Sequence, residues 1–144
     1  MRLSKSLSCT LLAGAALTLL AGPASAQPVP LRLDRETVVN GIGVGCTGIG
    51  QTKDAPKWNA YSVKIEFADS QRGLLADETM TLSQGGATLA TVTCEGPWIL
   101  LKLPPGKAYQ VSGNVPGAPA TQSMTVTAPS HGQGVFALTF PVSQ

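Results

Sequence analysis

Histidine, cysteine and catalytic sequence patterns are scarce in this chain, and each scarcity excludes a class of function. His131 is the only histidine, and there are three cysteines among 144 residues. A zinc site needs three or four ligands, which these residues cannot supply once two cysteines pair. No serine lies in the G-x-S-x-G pattern of a nucleophile elbow. We therefore expect no cofactor, no metal and no enzymatic activity.

Clustered charge is also missing. The whole chain has 10 basic and 8 acidic residues, and the excess of two comes from Arg2 and Lys5 near the N-terminus. Residues 27–144 are therefore formally neutral, with no basic cluster. A neutral chain of this kind is unsuited to bind nucleic acid or a charged membrane surface.

The first 26 residues have the layout of a cleavable signal peptide. A short basic start precedes a leucine-rich stretch at 7–20 and a small-x-small pattern that ends at Ala26. This layout predicts cleavage between Ala26 and Gln27 and a periplasmic or secreted protein. The alternative is an uncleaved membrane anchor. It is disfavoured because the apolar run is shorter than the roughly 20 residues that span a bilayer.

Two cysteines remain after that cleavage, Cys46 and Cys94, because Cys9 leaves with the signal peptide. In an oxidising compartment they are predicted to form a structural disulfide. The alternatives are a redox pair or metal thiolates, but the C-x-x-C spacing of a redox motif is absent.

From Tyr61 onwards the sequence is a succession of short strands. Apolar residues alternate with polar ones from Tyr61 to Phe67, which is typical of a half-buried strand. About seven such segments, separated by glycine and proline, predict an all-β antiparallel Greek-key sandwich over residues 60–144. No stretch of residues 27–144 shows convincing helical periodicity.

Residues 27–59 are interpreted as an N-terminal extension that precedes this sandwich. They contain a polar lead-in and a glycine-rich segment at 41–50. The segment superficially resembles a phosphate-binding loop but lacks G-x-x-x-x-G-K-[ST]. We interpret it as a flexible crossing segment that Cys46 tethers.

The stretch from Glu95 to Val111 resembles the signature of carboxypeptidase regulatory-like domains, as found in small exported proteobacterial proteins. The matching residues are Trp98, Leu100, Leu103, Pro104, Pro105, Gly106 and Tyr109. The resemblance covers roughly residues 41–140 and implies a transthyretin-like β-sandwich. The signature specifies a fold and names no chemistry, because function lies in sites. Family members commonly have an apolar residue where Glu78 stands, so the resemblance implies either a bulge or a buried carboxylate there.

Three residue types are candidates for a site. Trp58 lies in a polar loop, and is either an exposed platform for sugar or protein or a ring folded over an open end of the sandwich. His131 lies in a turn and is expected to be exposed. Met80 and Met124 fall on the inward parity of their strands, which favours core positions over copper ligands.

The leading hypothesis is an exported, non-catalytic β-sandwich with a structural or binding role in the cell envelope. The alternative is a module that binds a carbohydrate or an envelope protein through Trp58 or a sheet edge. A weak hydrolase or copper carrier is the remote alternative. The expected partner is therefore an envelope protein or a polysaccharide, without nucleic acid and without stable membrane insertion.

Overall fold

The computed structural model describes residues 27–141, so the predicted signal peptide and its cleavage site lie outside or at the border of the described residues. The described strands are β1 Val29–Leu31, β2 Arg35–Val39, β3 Ile42–Thr47, β4 Val63–Asp69, β5 Glu78–Gln84, β6 Ala87–Cys94, β7 Trp98–Leu101, β8 Ala108–Asn114, β9 Gln122–Thr127 and β10 Gly134–Phe140. Two 3-10 helices, Gln51–Asp54 and Pro56–Ala60, connect β3 to β4. No helix in this part of the chain is long and apolar enough to cross a membrane.

The strands form two five-stranded sheets, in agreement with the predicted β-sandwich. Sheet I has the order β1-β6-β5-β8-β9, and sheet II has the order β10-β4-β7-β3-β2. Residues 27–141 thus contain ten strands where the sequence predicted about seven. Both sheets are mixed, because β1 runs parallel to β6 and β10 runs parallel to β4.

The segment interpreted as an N-terminal extension supplies three of these strands. β1 joins sheet I, while β2 and β3 form a hairpin in sheet II, with β3 between β2 and β7. The glycine-rich segment is therefore largely a strand and not a flexible crossing. Val44 and Cys46 point into the core and are fully buried, whereas glycine occupies the alternate positions 43 and 45.

The core lies between the sheets and follows the period-two pattern of the strands. Val63, Ile65 and Phe67 of β4 are fully buried, as their alternation predicted. Met80 is also fully buried, and Met124 is half-buried against the same cluster, so both methionines take the predicted core positions.

The predicted disulfide is present. Cys46 in β3 and Cys94 in β6 are bonded, with a sequence separation of 48 residues. Because β3 belongs to sheet II and β6 to sheet I, the bond joins the two layers of the sandwich.

The Pro-Pro-Gly turn carries the chain from one sheet to the other. β7 ends in sheet II, and β8 begins in sheet I. Gly106 at the turn has φ 79°, a conformation that glycine adopts without strain. Trp98 and Tyr109 therefore lie in different sheets. Tyr109 is buried in the main core between the sheets, whereas Trp98 is partly buried against a second cluster on the outer face of sheet II.

Candidate functional site

The outer face of sheet II carries a small second hydrophobic cluster. The two 3-10 helices between β3 and β4 hold Trp58 and Tyr61 over this face, where both contact Leu100 of β7. Pro56 at the start of the second 3-10 helix suits a first helical turn, where its missing N–H leaves no bond unmade.

Trp58 is a buried part of this layer. Its ring is 3% exposed, and its Nε1–H donates to the carbonyl oxygen of Thr52 at 2.7 Å. A Cβ on Gly45 would approach the ring to 2.8 Å, so only glycine lets Trp58 lie this close to β3. The structure therefore places Trp58 flat against the outer face of sheet II, neither exposed as a platform nor over an open end of the sandwich.

Tyr61 fixes the other side of the layer. Its hydroxyl donates to Glu36 Oε1 at 2.7 Å, and Lys57 Nζ lies 3.3 Å from Glu36 Oε2. The hydrogen bond from Tyr61, followed by that from Lys57, lowers the pKa of Glu36 against the opposing effect of burial. Burial, and then the bond to Glu36, raises the pKa of Tyr61. This network links β2 to the residues that cover the sheet.

Lysine ammonium groups lie over every aromatic ring of the layer. The distances from Nζ to ring centroid are 4.1 Å for Lys57 over Trp58, 4.0 Å for Lys64 over Trp98, 5.9 Å for Lys53 over Trp98, and 4.8 Å for Lys102 over Tyr61. Such cation–π contacts orient the ammonium groups and hold them close to the rings. The outer face of sheet II is therefore an aromatic surface covered by lysines, of which Lys53, Lys57 and Lys64 are paired with carboxylates.

A pocket of about 220 Å³ opens beside the Trp98 ring. Lys53 and Asn59 line it from the 3-10 helices, Lys64 from β4, and Gln133 from the loop before β10. The strands supply its floor and the helical segments supply one wall. We refer to this space as the Trp98 pocket.

The polar groups of Trp98 and Gln133 in the Trp98 pocket differ in whether their hydrogen bonds are made. The indole Nε1 of Trp98 is buried and has no hydrogen-bond partner among residues 27–141. Gln133 Nε2, in contrast, donates to the backbone carbonyls of Trp58 at 3.1 Å and Tyr61 at 3.0 Å. These bonds fix Gln133 and leave its amide oxygen as an acceptor. A buried donor without a partner is uncommon in proteins, and a bound acceptor would satisfy it.

The two lysines of the pocket are each paired with a carboxylate. Lys53 Nζ lies 2.7 Å from Asp54, which also lines the pocket, and Lys64 Nζ lies 3.0 Å from Glu66 of β4. The lining alone has a formal charge of +1, and counting Glu66 brings the charge to zero. The Lys64 side chain is only 17% exposed, so its charge is partly shielded from water. An anionic group in the pocket would therefore compete with Asp54 and Glu66 for these ammonium groups.

Glu78 is a second unusual polar residue, located far from this pocket at the start of β5. It is fully buried, and neither carboxylate oxygen has a hydrogen-bond partner in the described part of the chain. Burial, with a smaller contribution from the charge of Asp77, raises the pKa of Glu78 from 4.5 to about 9. The structure thus shows a buried carboxyl group at Glu78. The register of β5 with β6 shifts between Leu82 and Ser83, where β6 has the extra residue Leu89.

His131 takes no part in either site. It is exposed in the loop between β9 and β10. Within residues 27–141, no three His, Cys, Asp or Glu side chains come together in a group that could hold a metal ion.

Comparison with known proteins adds no identification. No protein-family model matches the chain, and no curated protein matches it significantly. The resemblance to carboxypeptidase regulatory-like domains therefore stays a prediction from the residues of the Glu95–Val111 stretch.

The sequence pointed to three members of the pocket lining. Trp58 was a candidate site residue, and Trp98 and Leu100 were singled out for the fold. The polar members Lys53, Lys64 and Gln133 were missed. The available signal was the outward parity of Lys64 on β4, opposite to the buried Val63 and Ile65. Nothing in the sequence indicates that residues so far apart meet at one ring.

Proposed function

We propose that the protein is an exported, non-catalytic binding domain that holds a small acidic saccharide in the Trp98 pocket. One observation carries this proposal: Trp98, whose buried indole N–H has no partner among residues 27–141, lines a pocket that Lys53 and Lys64 also line. An acceptor oxygen on the ligand would satisfy the indole, and a carboxylate would pair with the lysines through charge-assisted hydrogen bonds.

The size and lining of the pocket support a sugar ring as the ligand. Its volume of about 220 Å³ is below the ~300–1,000 Å³ of sites for drug-sized molecules. The pocket offers an aromatic ring from Trp98 and polar groups from Asn59 and Gln133. Hydroxyl groups both donate and accept hydrogen bonds, so they suit amide side chains of this kind.

Export is supported by the N-terminal pattern and by the disulfide. A cleavable signal peptide would deliver the chain to a compartment where disulfides form and persist. Such a compartment of the cell envelope contains acidic polysaccharides and their fragments, which are ligands of the proposed class. The non-catalytic part of the proposal is supported by the position of His131 outside the pocket.

A titration by nuclear magnetic resonance tests this proposal. Residues 27–141 contain two tryptophans, and each gives one indole N–H signal. Glucuronate or galacturonate should shift the Trp98 signal more than that of Trp58, which also lines the pocket but whose indole N–H is already bonded to Thr52. Glucose and galactose are the matched neutral ligands and should bind more weakly. A titration with inorganic phosphate shows whether an anion without a sugar ring is enough to shift the Trp98 signal.

Variants of the lining lysines make the titration specific. Lys64→Gln and Lys53→Gln keep much of the side-chain volume and remove the charge, so each should weaken uronate binding roughly tenfold. Lys107→Gln is the control, because Lys107 is exposed outside the pocket. A Trp98 signal that no acidic saccharide moves, or that moves equally in Lys64→Gln, would contradict the proposal.

The edge strand β10 favours a second candidate, the binding of an extended segment of an envelope protein. β10 lies at the end of sheet II and contains neither a charged residue nor proline. Uncharged edges without proline accept additional strands readily. Val135 on this strand is 56% exposed. If this candidate is correct, Val135→Lys should abolish binding of a partner envelope protein and leave uronate binding intact.

A further inference from the structure

The outer face of sheet I differs from that of sheet II because it carries hydroxyl groups and no charge. The inward residues of β5 are Glu78, Met80 and Leu82, so the alternate residues face outward. Strand register extends this assignment to the neighbouring strands. The outward residues are Thr79, Thr81, Ser83, Thr88, Thr91, Thr93, Gln110, Ser112, Asn114, Ser123, Thr125 and Thr127. We call these residues, ten serines or threonines and two amides, the hydroxyl face.

A solvent-facing sheet usually carries lysine and glutamate, as sheet II does at Lys64 and Glu66. Threonine favours strands, so one or two threonines on such a face need no explanation. Here the hydroxyl face extends over four neighbouring strands, and none of its positions carries a charged side chain. The four strands thus form one continuous uncharged surface of polar groups.

Side chains of the hydroxyl face are held in place by cross-strand hydrogen bonds. The bonded pairs are Thr79 with Thr93 at 3.0 Å, Thr81 with Thr91 at 3.3 Å, Ser112 with Ser123 at 2.9 Å, and Thr125 with Gln110 at 2.8 Å. Each pair consumes one hydroxyl proton and leaves further lone pairs and protons free. Threonine is also stiff at χ1. These side chains would therefore lose little conformational entropy when a partner binds the face.

The strands place these hydroxyls on a regular grid. Neighbouring strands lie roughly 4.8 Å apart, and outward residues repeat at roughly 6.7 Å along each strand. The free hydroxyls therefore repeat in two directions. A partner with repeating hydroxyls of its own would make many such contacts at once.

The chemistry of this face selects its partner. A charged surface, such as anionic lipid or nucleic acid, would find no counter-charge there, and desolvation would be costly. Protein interfaces depend on aromatic, apolar or arginine anchors, and the hydroxyl face has none. From these observations we infer that the hydroxyl face docks onto a neutral, polyhydroxylated polysaccharide. This inference is independent of the Trp98 pocket, which lies on the other sheet.

Sedimentation of purified protein with insoluble polysaccharides tests the inference. Microcrystalline cellulose, chitin and insoluble β-1,3-glucan are the three neutral probes. We expect retention on at least one of them and a roughly tenfold loss of affinity in the double variant Thr81→Lys/Thr125→Lys. The conservative pair Thr81→Ser/Thr125→Ser keeps both hydroxyls and should retain most of the binding.

Matched control variants test whether a loss of polysaccharide binding comes from added charge elsewhere, from the Trp98 pocket or from a change in fold. Ala137→Lys/Thr139→Lys adds the same charge at exposed positions of β10 in sheet II and should bind like the native protein. Lys64→Gln should also bind normally, which separates this face from the pocket. Circular dichroism of each variant must match that of the native protein.

Several outcomes would overturn the inference. These are no retention on any of the three probes, equal retention in the folded Thr81→Lys/Thr125→Lys variant, or loss of retention in Lys64→Gln. A dimer that dissociates on Thr81→Lys/Thr125→Lys would assign the face to a second copy of the chain. Adsorption to ice without retention on polysaccharide would assign it to ordered water.

Discussion

At the level of single residues, Glu78 shows how one buried carboxyl group connects stability to pH. Its side chain is fully buried and has no hydrogen-bond partner within the described residues, and burial raises its pKa from 4.5 to about 9. In the unfolded chain the group ionises above pH 4.5, whereas in the folded protein it stays protonated up to about pH 9. The unfolded state therefore binds fewer protons across this range, and stability falls as pH rises.

Glu78→Gln should remove this dependence. Across the window from pH 4.5 to about 9, the native protein should lose up to ~1.4 kcal/mol of unfolding free energy per pH unit. The variant should have a flatter profile and exceed native stability toward the alkaline end, because its amide cannot ionise. Chemical denaturation at both ends of the window measures this. Glu95→Gln, at an exposed carboxyl group, is the control, and a native profile in Glu78→Gln would show that Glu78 is not the source.

Residue identity alone did not settle where Trp58 lies. Its neighbours Lys57 and Asn59 are polar, which suited either an exposed or a covered ring. The outcome depends on Gly45, which is distant in sequence and leaves room for the ring on β3. By contrast, the disulfide could be predicted, because only Cys46 and Cys94 remained to pair.

At the level of elements, β4 to β10 could be predicted because apolar alternation and glycine or proline turns mark them. β3 was missed because glycine at 43 and 45 was interpreted as flexibility. The alternation of Ile42, Val44 and Cys46 with those glycines was the signal of a strand. Glycine occurs there because other side chains pack directly on the backbone.

The two glycines of β3 should respond differently to substitution. A Cβ at position 45 would lie 2.8 Å from the Trp58 ring, which is held by neighbouring residues, whereas one at position 43 would meet the flexible Lys102 side chain at 2.8 Å. Gly45→Ala should therefore cost ~1–3 kcal/mol through overpacking, and Gly43→Ala should cost clearly less. Thermal denaturation with tryptophan fluorescence distinguishes them. Equal losses would show that Trp58 is not fixed against β3.

The pocket could not be predicted at this level. It combines both 3-10 helices, strands β4 and β7 and the loop before β10. The 3-10 helices have no apolar periodicity, because Trp58 is their only buried residue. Their position over sheet II follows from tertiary contacts of Trp58 and Tyr61, which no local pattern encodes.

At the level of the whole molecule, two sheets with different outer faces are joined through their interior by Cys46–Cys94. The bond closes a loop across 48 residues between the layers. In the chain-entropy model such a loop contributes ~4 kcal/mol of stability. Cys46→Ser/Cys94→Ser should therefore lower the unfolding free energy by about this amount. Urea denaturation measures this loss in two ways, by comparing the variant with the native protein and by comparing the native protein with and without reductant. If neither the substitution nor the reductant changes the unfolding free energy, the disulfide has no structural role.

The two outer faces give the molecule two chemically different surfaces, one aromatic and rich in ion pairs and one uncharged and rich in hydroxyls. The proposed acidic ligand of the first surface is the central claim. A crystal structure of the protein grown with glucuronate tests it most directly. We predict a sugar ring in the Trp98 pocket, with an oxygen accepting from Trp98 Nε1 and the carboxylate beside Lys53 or Lys64. An empty pocket at saturating glucuronate, or a ligand bound elsewhere, would contradict the claim.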